Sequence, residues 1–301
     1  MRLARFCTAD GGAGFGVVER DTVARLDHRV PSFEHLLTAP AAPRADDPRV
    51  PLSDVEWLPP VGAHPKIICV GFNYAAHAKE AERDSAAPEH PTLFIRFPDS
   101  LVGAGTPVVR PFDDDSLDWE GEAALVISTG GRRIPAAHAW QHIAGVTCMA
   151  ENSVRTWQLH SGQATAGKNW AATGAAGPWL TTTDELGTAP LRVTTRLNGT
   201  VVQDDTTDRL TFGFAEIVAY VSTFTPLRPG DLIATGTPKG IGFRMAPPRF
   251  LRPGDEVEVE VSGVGVLRHG VVDEVAPKIA EAVAGSGSGR TPTPPDCGCR
   301  R

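Results

Sequence analysis

Residues 118–127 read Asp118-Trp119-Glu120-Gly121-Glu122-Ala123-Ala124-Leu125-Val126-Ile127, two glutamates two positions apart that run straight into five apolar residues. A short apolar run of this kind predicts a strand, and successive strand side chains point to opposite faces. Glu120 and Glu122 then share a face, roughly 7 Å apart at their Cα atoms. Two carboxylates so placed repel each other, and burial adds to the cost unless a cation is shared between them. Oxygen donors suit a hard divalent ion such as Mg²⁺ or Mn²⁺. The same pattern also fits an amphipathic strand whose acids face water, so the remainder of the chain has to decide.

With 301 residues, 41% hydrophobic and 22% charged, the chain has the make-up of a globular protein able to bury a full core. A formal charge of −7 and a pI of about 5.7 argue against a nucleic-acid surface. No window approaches the roughly 18 apolar residues of a membrane span, and the start Met1-Arg2-Leu3-Ala4-Arg5 lacks a signal-peptide core. The expectation is a cytoplasmic protein with neither nucleic-acid nor membrane partners. Five cysteines at irregular spacing are not the pattern of a disulfide framework; Cys69 and Cys148 lie in apolar runs and read as small core residues.

Taken in order, residues 1–60 read as a small N-terminal α+β domain, with short strands around Gly16-Val17-Val18 and Thr22-Val23-Ala24-Arg25-Leu26 and a helix over 32–37. Residues 61–275 form the main domain. It opens with the strand Lys66-Ile67-Ile68-Cys69-Val70 and a helical segment over 75–82, for which Asn73 is a candidate cap. His77 and Glu80 stand at i and i+3 on that helix, so a carboxylate can orient the imidazole as a base. Further on, 215–222 has helical spacing, and Asp255-Glu256-Val257-Glu258-Val259-Glu260-Val261 alternates as a strand with one wet face. Residues 276–301, through Gly285-Ser286-Gly287-Ser288-Gly289 and a Pro-Thr run, have the composition of a disordered tail.

Several stretches, in order, resemble the fumarylacetoacetate hydrolase superfamily: residues 66–74 with His77 and Glu80; 91–96; Trp119-Glu120-Gly121-Glu122 as its Glu-x-Glu metal strand; 143–147; Gly167-Lys168; Gly177-Pro178-Trp179-Leu180; Asn198-Gly199 with Gln203 and Thr207; and 229–240. The resemblance covers about residues 65–272. It departs at two points. Glu151 stands where the family has a third metal-binding aspartate, and its extra methylene displaces a carboxylate by about 1.5 Å. After Lys168 the chain reads Asn169-Trp170-Ala171-Ala172, so an acid common in relatives is absent at Ala171, and Trp170 suggests a reshaped pocket wall.

The resemblance implies a strand-rich α+β protein, a mixed β-roll around the site, commonly a homodimer. It implies one Mg²⁺ or Mn²⁺ per subunit on Glu120, Glu122 and Glu151, and a small-molecule 2-oxo acid substrate met by Arg96, Arg155, Gln158, Gly236 and Thr237. His77, oriented by Glu80 on a lid, would activate water, and Lys168 would stabilise the departing enolate. An acylpyruvate-like substrate would be cleaved at the C–C bond beside its 2-oxo acid. Decarboxylation and isomerisation reach the same enolate, and a non-catalytic relative with an altered metal site is the reading from another class.

Overall fold

The computed structural model describes residues 1–81 and 88–276. Glu82, at the end of the expected helix, and 277–301, most of the expected tail with Cys297 and Cys299, lie outside them. The structure is a strand-rich α+β fold of mixed sheets. Among the described residues no helix is long and apolar enough to cross a membrane.

The strand Gly121–Ile127 sits inside a twelve-stranded sheet, paired antiparallel to Ile143–Ala150 on one side and to Leu232–Ala234 on the other. Both of its faces are covered. Ala123, Leu125 and Ile127 enter a core shared with Val193, Val257 and Val259, whereas Ala124 and Val126 enter another with Met149, Leu232 and Ala234. Two-sided burial explains why the run from 123 to 127 is apolar without alternation. Val193, Val257 and Val259 belong to a five-stranded sheet that includes Arg192–Leu197 and Glu256–Val261, the latter with the predicted alternating burial.

Beyond Leu232–Ala234 the large sheet continues through Ile67–Gly71 to Thr92–Arg96 at its edge. At the other end it takes in the N-terminal residues: Arg2–Thr8 pairs with Gly174–Thr182, with Leu3 opposite Leu180, and carries Ala13–Glu19 and Thr22–Arg25 beyond it. The helix Phe33–Thr38 is capped by Ser32, whose side chain accepts from His35 N, and buries Phe33, Leu36 and Leu37. The helix Phe214–Phe224 forms where its spacing predicted one and buries Ile217, Val218 and Val221. Cys69 and Cys148 are buried and free, as core residues.

Candidate active site

The pairing of Gly121–Ile127 with Ile143–Ala150 assembles the centre. Gly121 faces Ala150 across the ladder, so Glu120 and Glu151 leave the two strands side by side, and Glu151 N donates to Glu120 O at 2.7 Å. Glu122 lies inside the strand, whereas Glu120 stands just ahead of it, in a break after the short strand Leu117–Asp118. All three carboxylates are buried and each offers an oxygen within 4.8 Å of the others. The solvated-acid alternative is thereby excluded. Gly121 between them has to be glycine, because a Cβ there would stand 2.0 Å from Thr195 Oγ1.

Three cations crowd against these acids. Lys168, at the end of the short helix Thr165–Lys168, lies 2.8 Å from Glu120 Oε1, bonds Glu151 Oε2 and sits 4.9 Å over the Phe94 ring. Arg155 Nη1 is 2.8 Å from Glu120 Oε1 and donates to Gln158 Oε1 at 2.8 Å. Arg96 Nη1 donates to Glu151 Oε1 at 2.8 Å. Burial opposes the charge on Lys168, but Glu120 and Glu151 outweigh it and keep the ammonium protonated. Burial likewise opposes Glu120, yet Lys168 and Arg155 hold its carboxyl down to about 2.

Glu122 is different. Its Oε2 accepts from Gly236 N at 2.7 Å, and no cationic side chain pairs with it among the described residues. Burial, then Glu151 and Glu120, push its carboxyl well above the ordinary carboxylate range. Counting Asp118, which faces Arg155, four buried acids meet three buried cations. An acid left without a cationic partner and three convergent oxygen donors fit a hard divalent cation.

A cavity of about 330 Å³ opens over this cluster, lined by Glu120, Glu122, Arg155, Gln158, Lys168 and Thr237, with His77 among its other walls. His77 Nδ1 lies 3.2 Å from Glu80 Oε2, its ring stacks on Phe72 at 5.6 Å, and Gly240 N donates to Glu80 Oε1 at 3.0 Å. The dyad expected from the i, i+3 spacing therefore forms, and a backbone N–H holds its carboxylate. Asn73 does not cap that helix; it donates to Thr235 O and Phe212 O, stitching the loop after Ile67–Gly71 to the Thr235-Gly236-Thr237 segment.

Two expected substrate contacts sit elsewhere. Arg96 is absent from the cavity lining; it lies behind Glu151, donating also to Asn152 O, Ser100 Oγ and Thr173 Oγ1. Gly236 gives its N–H to Glu122, a close approach its φ of 108° permits, since a Cβ would stand 2.7 Å from Asn73 Cβ. Trp170 is also off the cavity and packs edge-on against Trp157 at 5.0 Å. Gln203 accepts from Gly121 N at 2.9 Å and donates to Thr237 Oγ1 at 2.7 Å, tying the segment of Glu120 and Glu122 to the threonine loop. Ser153 was missed; its Oγ donates to Glu120 Oε1 at 2.5 Å, and one serine after a strand carries no local signal.

Residues 66–272 match the family model described as fumarylacetoacetate (FAA) hydrolase C-terminal, and residues 1–60 match one described as Rv2993c-like, N-terminal. The chain is 36% identical over 271 residues to oxaloacetate tautomerase Fahd2a, mitochondrial, of Rattus norvegicus, covering 87% of this chain and 86% of that one. The structure of 5-carboxymethyl-2-hydroxymuconate delta-isomerase from Mycobacterium smegmatis is 32% identical, with a TM-score of 0.76 over 92% of this chain and 100% of that one. Maleylpyruvate hydrolase from Sphingobium sp. SYK-6, solved with manganese (II) and pyruvate, is 27% identical, with a TM-score of 0.75 over 91% of this chain and 99% of that one. With residues 66–272 inside that family model and its fold shared with these enzymes over nearly their whole length, the chain belongs to the fumarylacetoacetate hydrolase family.

Proposed function

We propose that this protein is a metal-dependent enzyme of small 2-oxo acids that works through an enolate, and that it hydrolyses the C–C bond of an acylpyruvate-like substrate. The observation that carries this is the single cavity faced by Glu120, Glu122, Lys168, Arg155 and His77. Glu120, Glu122 and Glu151 would hold Mg²⁺ or Mn²⁺, which supplies Lewis-acid polarisation of a keto oxygen when bound. The maleylpyruvate hydrolase relative was solved with manganese (II) and pyruvate, which supports that choice of ion and of product.

Arg155, hydrogen-bonded to Gln158 and sharing the cavity lining with Thr237, would receive the substrate carboxylate by charge-assisted hydrogen bonds. With Glu80 accepting from Nδ1–H, His77 presents Nε2 as the base toward water. Water adds to the distal carbonyl and gives its proton to His77. The C–C bond then breaks toward the pyruvate side, and the enolate so formed takes a proton to become pyruvate, leaving a carboxylic acid. Lys168, charged and fixed at the cavity floor, offsets the negative charge that develops there.

Tautomerisation is the second reading, favoured by the rat relative named as an oxaloacetate tautomerase. It needs the same bound 2-oxo acid and one proton moved by the same dyad. The deciding assay follows pyruvate release from a panel of acylpyruvates beside enol-to-keto conversion of oxaloacetate, with Mn²⁺ present. Pyruvate from an acylpyruvate supports hydrolysis, and conversion of oxaloacetate without it supports tautomerisation. A manganese-loaded protein that does neither contradicts the proposal.

A further inference from the structure

Asp118 is wholly buried at the end of the short strand Leu117–Asp118 and is not among the residues that line the cavity. Its two oxygens nevertheless tie together two parts of the cavity wall. Oδ2 accepts from Arg155 Nε at 2.8 Å, with Arg155 Nη2 2.7 Å from the same atom. Oδ1 accepts from Gly242 N at 2.8 Å, and Oδ2 also accepts from Phe243 N at 3.1 Å. The turn so held, Gly242–Arg244, contributes Phe243 and Arg244 to the cavity. Arg244 Nη2 reaches Ala81 O at 3.2 Å, beside the end of the helix that carries His77 and Glu80.

The fit around Asp118 is close. A Cβ on Gly242 would come within 2.8 Å of Asp118 Oδ1, 2.6 Å of the Trp119 ring and 1.9 Å of Arg249 O, so the turn meets the carboxylate through bare backbone. The Arg155 guanidinium also lies 6.0 Å from the centre of the Phe243 ring, so the turn and the arginine meet again at the cavity surface.

We infer that Asp118 is a positioning residue that sets Arg155 and the turn Gly242–Arg244 in one register, so that the grip on the substrate carboxylate and the wall beside His77 are fixed together. The inference rests on the assignment of Arg155 under the proposed function. An arginine paired only with Glu120 and Gln158 could swing with its long side chain; a second carboxylate behind it, itself locked by two backbone N–H groups, removes that freedom. Asp118→Asn is the matched change, because an amide fills the same space but cannot accept from Arg155 and both N–H groups together.

The test uses the full chain loaded with Mn²⁺ and reads pyruvate affinity, Mn²⁺ affinity, and KM and kcat for whichever 2-oxo acid it turns over. For Asp118→Asn the expected result is pyruvate Kd and KM raised by about tenfold or more, with Mn²⁺ affinity changed far less. A purely structural part for Asp118 would lower kcat with the folded fraction and leave KM and pyruvate Kd alone, and that outcome overturns the inference. Asp118→Glu, which keeps the charge but moves it by a methylene, gives the same readout if the asparagine variant does not fold. Paired with Arg155→Lys, Asp118→Asn should add little, since the two act as a unit; full additivity overturns the inference. Wild-type protein that binds pyruvate without turnover contradicts the proposed function, while the pyruvate Kd of the variant still decides the part played by Asp118. Wild-type protein that binds no pyruvate overturns both.

Discussion

Glu151 donates its backbone N–H to the carbonyl oxygen of Glu120 at 2.7 Å, and that bond carries the pairing of Gly121 with Ala150 one step further, to the acidic centre. The side chains follow the backbone. Glu120 takes Lys168 and Arg155, Glu151 takes Lys168 and Arg96, and Glu122 is left with a backbone amide and no cation.

The spacing of these acids depends on Gly121. A methyl group there would meet Thr195 Oγ1 at 2.0 Å, inside a buried contact between the two sheets. Gly121→Ala is expected to destabilise the fold by about 1–3 kcal/mol through overpacking and to weaken Mn²⁺ binding as the glutamates part. Urea unfolding and manganese titration of the same preparation check both effects.

Arg96 was expected on the substrate and is found behind Glu151. Removing it with Arg96→Met leaves a buried carboxylate short of a partner, which is expected to cost about 3–5 kcal/mol of stability. Arg96→Lys should recover only part of this, because an ammonium cannot serve Glu151, Asn152, Ser100 and Thr173 with the guanidinium's fixed fork. Thermal and urea midpoints of the three proteins give the comparison.

His77 lines the cavity and forms no ion pair with Glu120, Glu122 or Glu151. His77→Ala is expected to lower kcat by about 10²–10⁴-fold while Mn²⁺ affinity holds. Glu80→Gln should cost less, since the amide oxygen can still accept from the imidazole. Steady-state kinetics beside metal titration separates the base from the metal site.

Glu122 should make metal binding depend on pH. Burial, Glu151 and Glu120 raise its pKa in the folded chain, so the folded state keeps a proton that the unfolded chain has released above about 4.5. Metal-free stability from this group is therefore present below the unfolded pKa and lost as pH rises toward the raised folded value. A cation has to displace that proton, so Mn²⁺ affinity should climb with pH over the same window. Calorimetry in buffers of differing ionisation enthalpy should show proton release on binding at the low end.

Much of this was legible in the chain. The run 123–127, the alternation of 255–261 and the helical spacing at 215–222 each rest on local periodicity, and each element formed. His77 and Glu80 were readable for the same reason, being three residues apart on one helix. Lys168 was readable only through the family resemblance, since nothing local separates a surface lysine from one buried by partners 17 and 48 residues away. The union of Arg2–Thr8 with Gly174–Thr182 in the large sheet is likewise a long-range pairing, and a strand's own pattern does not name its neighbour. Asn73 shows the limit of a local rule: it has a cap's chemistry, but tertiary carbonyls took its amide.

The most direct measurement is a manganese titration of the purified chain beside Glu122→Ala, with free Mn²⁺ read by electron paramagnetic resonance. The expected result is one Mn²⁺ held per wild-type chain and none held at comparable affinity by the variant. Wild-type protein that takes up no more Mn²⁺ than Glu122→Ala would contradict a metal centre at Glu120, Glu122 and Glu151, and with it the chemistry proposed here.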